Sequence, residues 1–126
     1  MEDKKKLTVL YVEDEDVNQL IFTKSFEGIF HIIIASTVDG AMEIIENKSA
    51  ELDAVVSDMS MPKMSGVEFI KMAKERAPDL AYYILSSYTN HTEIRQAKKE
   101  QIIRDSFDKP LDADFISSRI HEHCGS

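Results

Sequence analysis

The sequence predicts an α/β fold, a doubly wound five-stranded parallel sheet with five helices on both of its faces. Three observations carry that expectation. Short apolar runs rich in β-forming residues alternate along the chain with longer segments of helical spacing. Several of the runs are apolar throughout, as in strands buried on both faces. The chain has 126 residues, so the connections are short, and right-handed crossovers return each helix to the sheet.

The first strand is read at Leu7 to Val12, and a helix from Val17 to Phe26 follows, with Val17, Leu20, Ile21 and the stem of Lys24 on one face. His31 to Ala35 forms the second strand. The next helix spans Asp39 to Asn47, with Ala41, Ile44 and Ile45 at helical spacing. Ala54-Val55-Val56 is the third strand and runs into Ser57-Asp58. Val67, Phe69, Ile70 and Ala73 mark a helix that Pro78 closes. Ala81 to Leu85 is the fourth strand, and Thr92 to Gln101 the least apolar helix, carrying Ile94 and Ala97. A short fifth strand centres on Phe107, and the last helix runs from Asp112 to His121 with Phe115, Ile116 and Ile120.

Composition narrows the function classes. Hydrophobic residues make up 43% of the chain and charged ones 30%, an ordinary globular balance. A single domain over 1–126, with its core at about 7–123, is expected. The 23 acidic against 15 basic residues give a net charge of −8. That excess argues against direct nucleic-acid binding and against docking on an anionic membrane. The charged start, Met1 to Lys6, reads as a solvated tail, with no signal or membrane-spanning run after it. A lone cysteine, Cys124, excludes an intrachain disulfide, so a cytoplasmic setting is expected. His121, His123 and Cys124 crowd together, but helical spacing scatters them about the axis rather than forming one ligand face. No output domain is expected within these 126 residues.

Function in a parallel α/β sheet gathers beyond the carboxyl ends of the strands. Glu13 and Asp14 follow the first strand, Asp58 ends the third, Ser86 follows the fourth, and Lys109-Pro110 follows the fifth. Carboxylates about 5 Å apart repel by roughly 3 kcal/mol per pair at an effective dielectric near 20. Such a cluster calls for a cation. An all-oxygen set with room for water suits Mg2+, which takes one or two carboxylates and completes its shell with phosphate oxygens; Mn2+ is an alternative. A carboxylate beside such a cation, with an ammonium and a hydroxyl at hand, is a nucleophile suited to phosphoryl transfer. Lys109 would neutralise charge, while Ser86 and nearby backbone N–H groups, left accessible by the small Ser87, would bond the phosphoryl oxygens.

Val12-Glu13-Asp14, Asp58-Met59-Ser60-Met61-Pro62 running to Gly66, Leu85-Ser86-Ser87-Tyr88 and Phe107-Asp108-Lys109-Pro110 together resemble the receiver domain of two-component response regulators. The likeness is to the single-domain chemotaxis receiver and covers residues 7–123. Each motif is weak alone; four in order, each after the appropriate strand, form a specific signature. The resemblance implies the flavodoxin-like strand order 2-1-3-4-5 and a phosphoryl group passed to Asp58 from a phosphohistidine of a sensor histidine kinase or phosphotransfer protein. It implies that Mg2+ is held by Glu13 (through water), Asp14, Asp58 and the backbone carbonyl of Ser60. It further implies that Lys109 and Ser86 contact the phosphoryl group, that Pro62 and Gly66 shape a loop, and that the Lys109-Pro110 bond is cis. The expected chemistry is confined to the domain's own phosphorylation and dephosphorylation, with no activity on a separate substrate. Its output is an effector, or a second copy, bound through the face of the fourth helix, fifth strand and fifth helix. The weakly apolar Thr92–Gln101 segment is the expected switch element.

Two departures from the family pattern stand out: Ser86, where threonine is frequent and the hydrogen bond is retained, and Ser106. Ser106 occupies the place, three residues before the lysine, where receivers commonly carry an aromatic, and alternation aims Phe107 to the opposite face. Tyr88 could substitute as the mobile aromatic or could be a loop tyrosine. By resemblance Ser60 and Tyr88 tune dephosphorylation; neither is an acid or amide that positions water, so slow loss of the phosphoryl group is expected. Among rivals, a flavin protein would need a phosphate-cradling loop where this chain has Glu13-Asp14-Glu15-Asp16. A receiver-shaped module that binds partners without phosphorylation is the second reading, prompted by Ser106.

Overall fold

The computed structural model describes residues 6–87 and 91–124. Five parallel strands, β1 (Thr8–Val12), β2 (His31–Ala35), β3 (Ala54–Asp58), β4 (Ala81–Ser86) and β5 (Asp105–Asp108), form one sheet in the order β2-β1-β3-β4-β5. The helices are α1 (Asp16–Ser25), α2 (Val38–Lys48), α3 (Gly66–Arg76), α4 (Thr92–Lys99) and α5 (Ala113–Cys124), with a 3-10 turn at Ser49–Glu51. The fold class and strand order are those the sequence and its resemblance imply. Helix boundaries differ by one residue at α1 and α2 and by two or three at the ends of α4 and α5. α4 stops at Lys99 because Gln101 adopts a left-handed φ of 63°, and α5 continues through His121 to Cys124.

Alternation along the buried strands divides the core between the two faces. Leu10, Val12, Val55 and Ile84 meet α2, α3 and α4 on one side, where Ile45, Phe69, Ile70 and Ile94 pack. Val9, Tyr11, Val56, Tyr83, Leu85 and Phe107 meet α1 and α5 on the other, against Phe22, Phe26, Ile116 and Ile120. Phe107 thus lies on the α1/α5 side, as alternation requires, and Ser106 is half-buried on the opposite face.

The face of α1 carrying Val17, Leu20 and Ile21 points to solvent, with exposures of 68%, 60% and 48%. The buried residues are instead Phe22 and the capping Phe26. Phe22, Phe26 and Phe30 recur every four residues, and consecutive ring centroids lie 4.7 and 5.4 Å apart. Phe22 also stacks on Tyr11 at 3.8 Å. Aromatic rings bury more area than Val, Leu or Ile and gain from ring contacts, so this face wins the core.

His121, His123 and Cys124 likewise go to separate partners: the Ser117 carbonyl, the Tyr83 hydroxyl and the Asp53 carbonyl. Two polar ties brace α4. Ser65, the N-cap of α3, donates to Glu93 at 2.9 Å. Asp105 on β5 pairs with Lys98 of α4 at 3.4 Å and Arg119 of α5 at 2.9 Å.

Phe22→Ala is expected to cost about 3–5 kcal/mol by denaturant titration. Leu20→Ser on the opposite face should change stability by no more than about 0.5 kcal/mol. Equal losses would show that α1 packs through its aliphatic face.

Candidate functional site

Parallel register delivers the candidate residues to one edge. Asp58 ends β3 opposite Leu85, and Ser86 ends β4 opposite Asp108. The Lys109 amide then donates to the Ser86 carbonyl at 3.0 Å, which ties the base of the lysine to the end of β4. The ammonium of Lys109 reaches Oδ1 of Asp58 at 2.5 Å. Asp58 is 6% exposed, and this charge pairing is what Oδ1 has in place of a well-directed hydrogen bond. The Lys109-Pro110 bond is cis.

Glu13 is 1% exposed just past β1. Its Oε1 accepts from the Tyr11 hydroxyl and its Oε2 from the Glu15 amide, both at 3.1 Å. Its backbone carbonyl accepts from Gln19 at 2.7 Å. Burial pushes its carboxyl above the ordinary glutamate range. The Glu15 N–H, Asn18 and Tyr11 oppose that shift, and the charge of Asp58 adds to it. Asp14 stands exposed and lines a groove with Met61, Pro62 and Lys63 of the β3–α3 loop.

Among the described residues no three acidic, histidine or cysteine side chains form a preassembled ligand set. The donors are two buried carboxylates, Glu13 and Asp58, with Asp14 at the rim. A cation that keeps several waters and takes one or two carboxylates fits that set; one that demands a closed protein cage does not. Ser60 is exposed and lines a cavity of about 390 Å3 with Met59, Ser65, Ser86 and His91. Ser86 is buried and Ser87 exposed. Tyr88 lies outside the described residues.

Gly66 proves to be a packing requirement. A Cβ there would collide with the Asp58 carbonyl oxygen and come within 2.8 Å of Ile84 Cδ1. The Gly66 amide donates to the Met59 carbonyl at 2.8 Å, and Ser57 donates to the Asp58 carbonyl at 2.8 Å. Pro62 is exposed in the same loop. The sequence reading passed over Ser57 and Tyr11. Both sit on strands next to site residues, and Tyr11 shares its strand face with Glu13 two residues on, which was the available signal.

Gly66→Ala is expected to destabilise the fold by about 1–3 kcal/mol, since backbone rather than a flexible side chain must give way. Chemical denaturation measures it. A neutral result would show that the β3–α3 loop relaxes freely.

The response regulator receiver domain model matches residues 9–121. The hydrogenase transcriptional regulatory protein HoxA of Cupriavidus necator is 27% identical over 94% of this chain, which spans 24% of that protein. A cyclic di-GMP phosphodiesterase of Thermotoga maritima is 28% identical over 90% of the chain and 30% of its own length. The chain thus spans less than a third of these curated relatives. A response regulator receiver domain protein from Clostridium thermocellum superposes with a TM-score of 0.81 at 24% identity, covering 92% of each chain. No described helix is long and apolar enough to cross a membrane. The family match over most of the chain, on a sheet whose edge joins Asp58 to Lys109, places this protein among the receiver domains of two-component signalling.

Proposed function

We propose that Asp58 accepts a phosphoryl group from the phosphohistidine of a sensor kinase or phosphotransfer protein, and that this modification switches a partner-binding surface. The observation that carries the reading is the buried Asp58 carboxylate held against the Lys109 ammonium. An Asp58 carboxylate oxygen attacks phosphorus, the P–N bond breaks, and its electron pair stays with the departing imidazole. Lys109 sits where it balances charge on the transferring group. Ser86 and the backbone beside Ser87 supply hydrogen bonds at the end of β4. Mg2+, when bound through Glu13, Asp14, Asp58 and the Ser60 carbonyl, supplies neutralisation of the phosphoryl oxygens.

The exposed apolar stripe of Val17, Leu20 and Ile21 supports docking of the phosphodonor protein on α1. Ile21 and Asn18 line a cavity of about 380 Å3 that also contains Lys109, Pro110 and Leu111, so a protein on that stripe stands next to the lysine. The output surface proposed is α4, β5 and α5, an effector or a second copy being its partner. Added negative charge of roughly −1.5 to −2 at Asp58 acts on the polar attachments of α4. Ser60 brings no acid or amide to position an attacking water, which supports slow self-dephosphorylation. A second reading, partner binding without phosphorylation, draws on Ser106 in place of the usual aromatic.

Incubation with Mg2+ and acetyl phosphate or phosphoramidate should add one phosphate by intact mass, and Asp58→Asn should abolish the gain. No gain from either donor would favour the phosphorylation-independent module. The modified protein should outlast a timescale of seconds in Mg2+, and decay within seconds would refute slow loss. Mg2+ at a hundredfold excess over its Kd should stabilise the unmodified fold by about 2.7 kcal/mol. Asp14→Ala should remove that thermal shift, and an undiminished shift would dismiss Asp14 as a metal ligand.

A further inference from the structure

Tyr11 is buried in the middle of β1, yet its hydroxyl is directed at the site. Its ring is 1% exposed and lies flat on Phe22, with planes 12° apart and centroids at 3.8 Å. Phe22 in turn packs on Phe26. A ring clamped in this way has little freedom, so the hydroxyl has a defined position. From there it donates to Glu13 Oε1 at 3.1 Å, while the Glu15 amide takes Oε2. An ordinary phenol carries its proton at neutral pH, so the hydroxyl donates to the carboxylate. Tyr11 also lines the cavity that holds Asn18, Ser87 and Lys109, so it stands between α1 and the phosphoryl-accepting edge.

We propose that Tyr11 is the positioning residue for Glu13. Its hydroxyl holds one carboxylate oxygen and the Glu15 amide holds the other, which fixes the orientation in which Glu13 meets a hydrated divalent cation. The inference rests on the reading of Glu13 as a cation-holding group. Partners of this kind, which orient a ligand without touching the metal, commonly contribute ten- to a hundredfold in affinity. A valine or leucine at position 11 would fill the strand face but leave Oε1 without its donor. Tyr11→Phe isolates the effect, because the ring and its stacking on Phe22 remain and only the donor is lost.

Calorimetric titration of Mg2+, repeated with Mn2+, into the unphosphorylated full chain tests this. Tyr11→Phe should weaken the cation Kd by about tenfold. Glu13→Gln should weaken it at least as much, and adding Tyr11→Phe to Glu13→Gln should change nothing further. Equal Kd values for wild type and Tyr11→Phe overturn the proposal. So does an unchanged Kd in Glu13→Gln, or a further tenfold loss in the double variant, which would mean that the hydroxyl acts through packing. A wild-type chain that binds neither cation removes the reading of the metal site itself, a result distinct from these. A second measurement needs no variant. The buried Tyr11 hydroxyl proton, followed by NMR in the wild type, should shift when Mg2+ is added, and an unmoved resonance counts against the assignment.

Discussion

The ion pair between Lys109 and Asp58 governs the carboxyl edge of the sheet. Burial of a carboxylate is tolerated only when the charge is met, and here one ammonium at 2.5 Å meets it. Glu13 is buried at the same edge, where the Tyr11 hydroxyl and the Glu15 amide hold its carboxylate. Burial, with the charge of Asp58 adding to it, raises both the Glu13 carboxyl and the Tyr11 hydroxyl above their ordinary ranges.

Holding that pair is mainly the work of register. Asp58 and Ser86 are strand-terminal, and Lys109 lies one residue beyond β5. Each is fixed by ladder hydrogen bonds on at least one side: Met59 to the Leu85 carbonyl, and Lys109 to the Ser86 carbonyl. The β3–α3 loop is pressed against the Asp58 backbone closely enough that residue 66 must be glycine. Chemistry placed on short turns from buried strands combines access with positional precision.

Most of this was legible in the sequence because the relevant signals are local. Short apolar runs lead into Glu13, Asp58 and Ser86, Lys109 follows the short strand centred on Phe107, and a parallel sheet then brings the ends together without further information. The face of α1 was not legible, because the segment is apolar on two sides. Val17, Leu20 and Ile21 make one stripe at good helical spacing, whereas Phe22, Phe26 and Phe30 make another that continues past the helix end at Ser25. Period alone cannot rank two stripes; ring size and the Tyr11 stack decide. Glu13 and Asp14 follow β1 in succession and take different surroundings. Glu13 turns to the α1 side with Tyr11, and Asp14 faces the groove toward Pro62.

Ser106 bears on how a change at Asp58 would reach α4. An aromatic wedged between helix and sheet resists displacement through packed area, and a serine there does not. The side chains that α4 buries are Ile94 and Ala97. Its further attachments are polar: Glu93 to Ser65 at one end, Lys98 to Asp105 at the other. Polar contacts at a solvated rim trade partners with water for about 1 kcal/mol each, far less than expelling a buried ring. Ser65 also caps α3, and the next residue, Gly66, presses on the Asp58 carbonyl. A charge change at Asp58 therefore has a short covalent and hydrogen-bonded route to Glu93, and on the proposed reading the output helix responds through these exchangeable contacts without an aromatic relay.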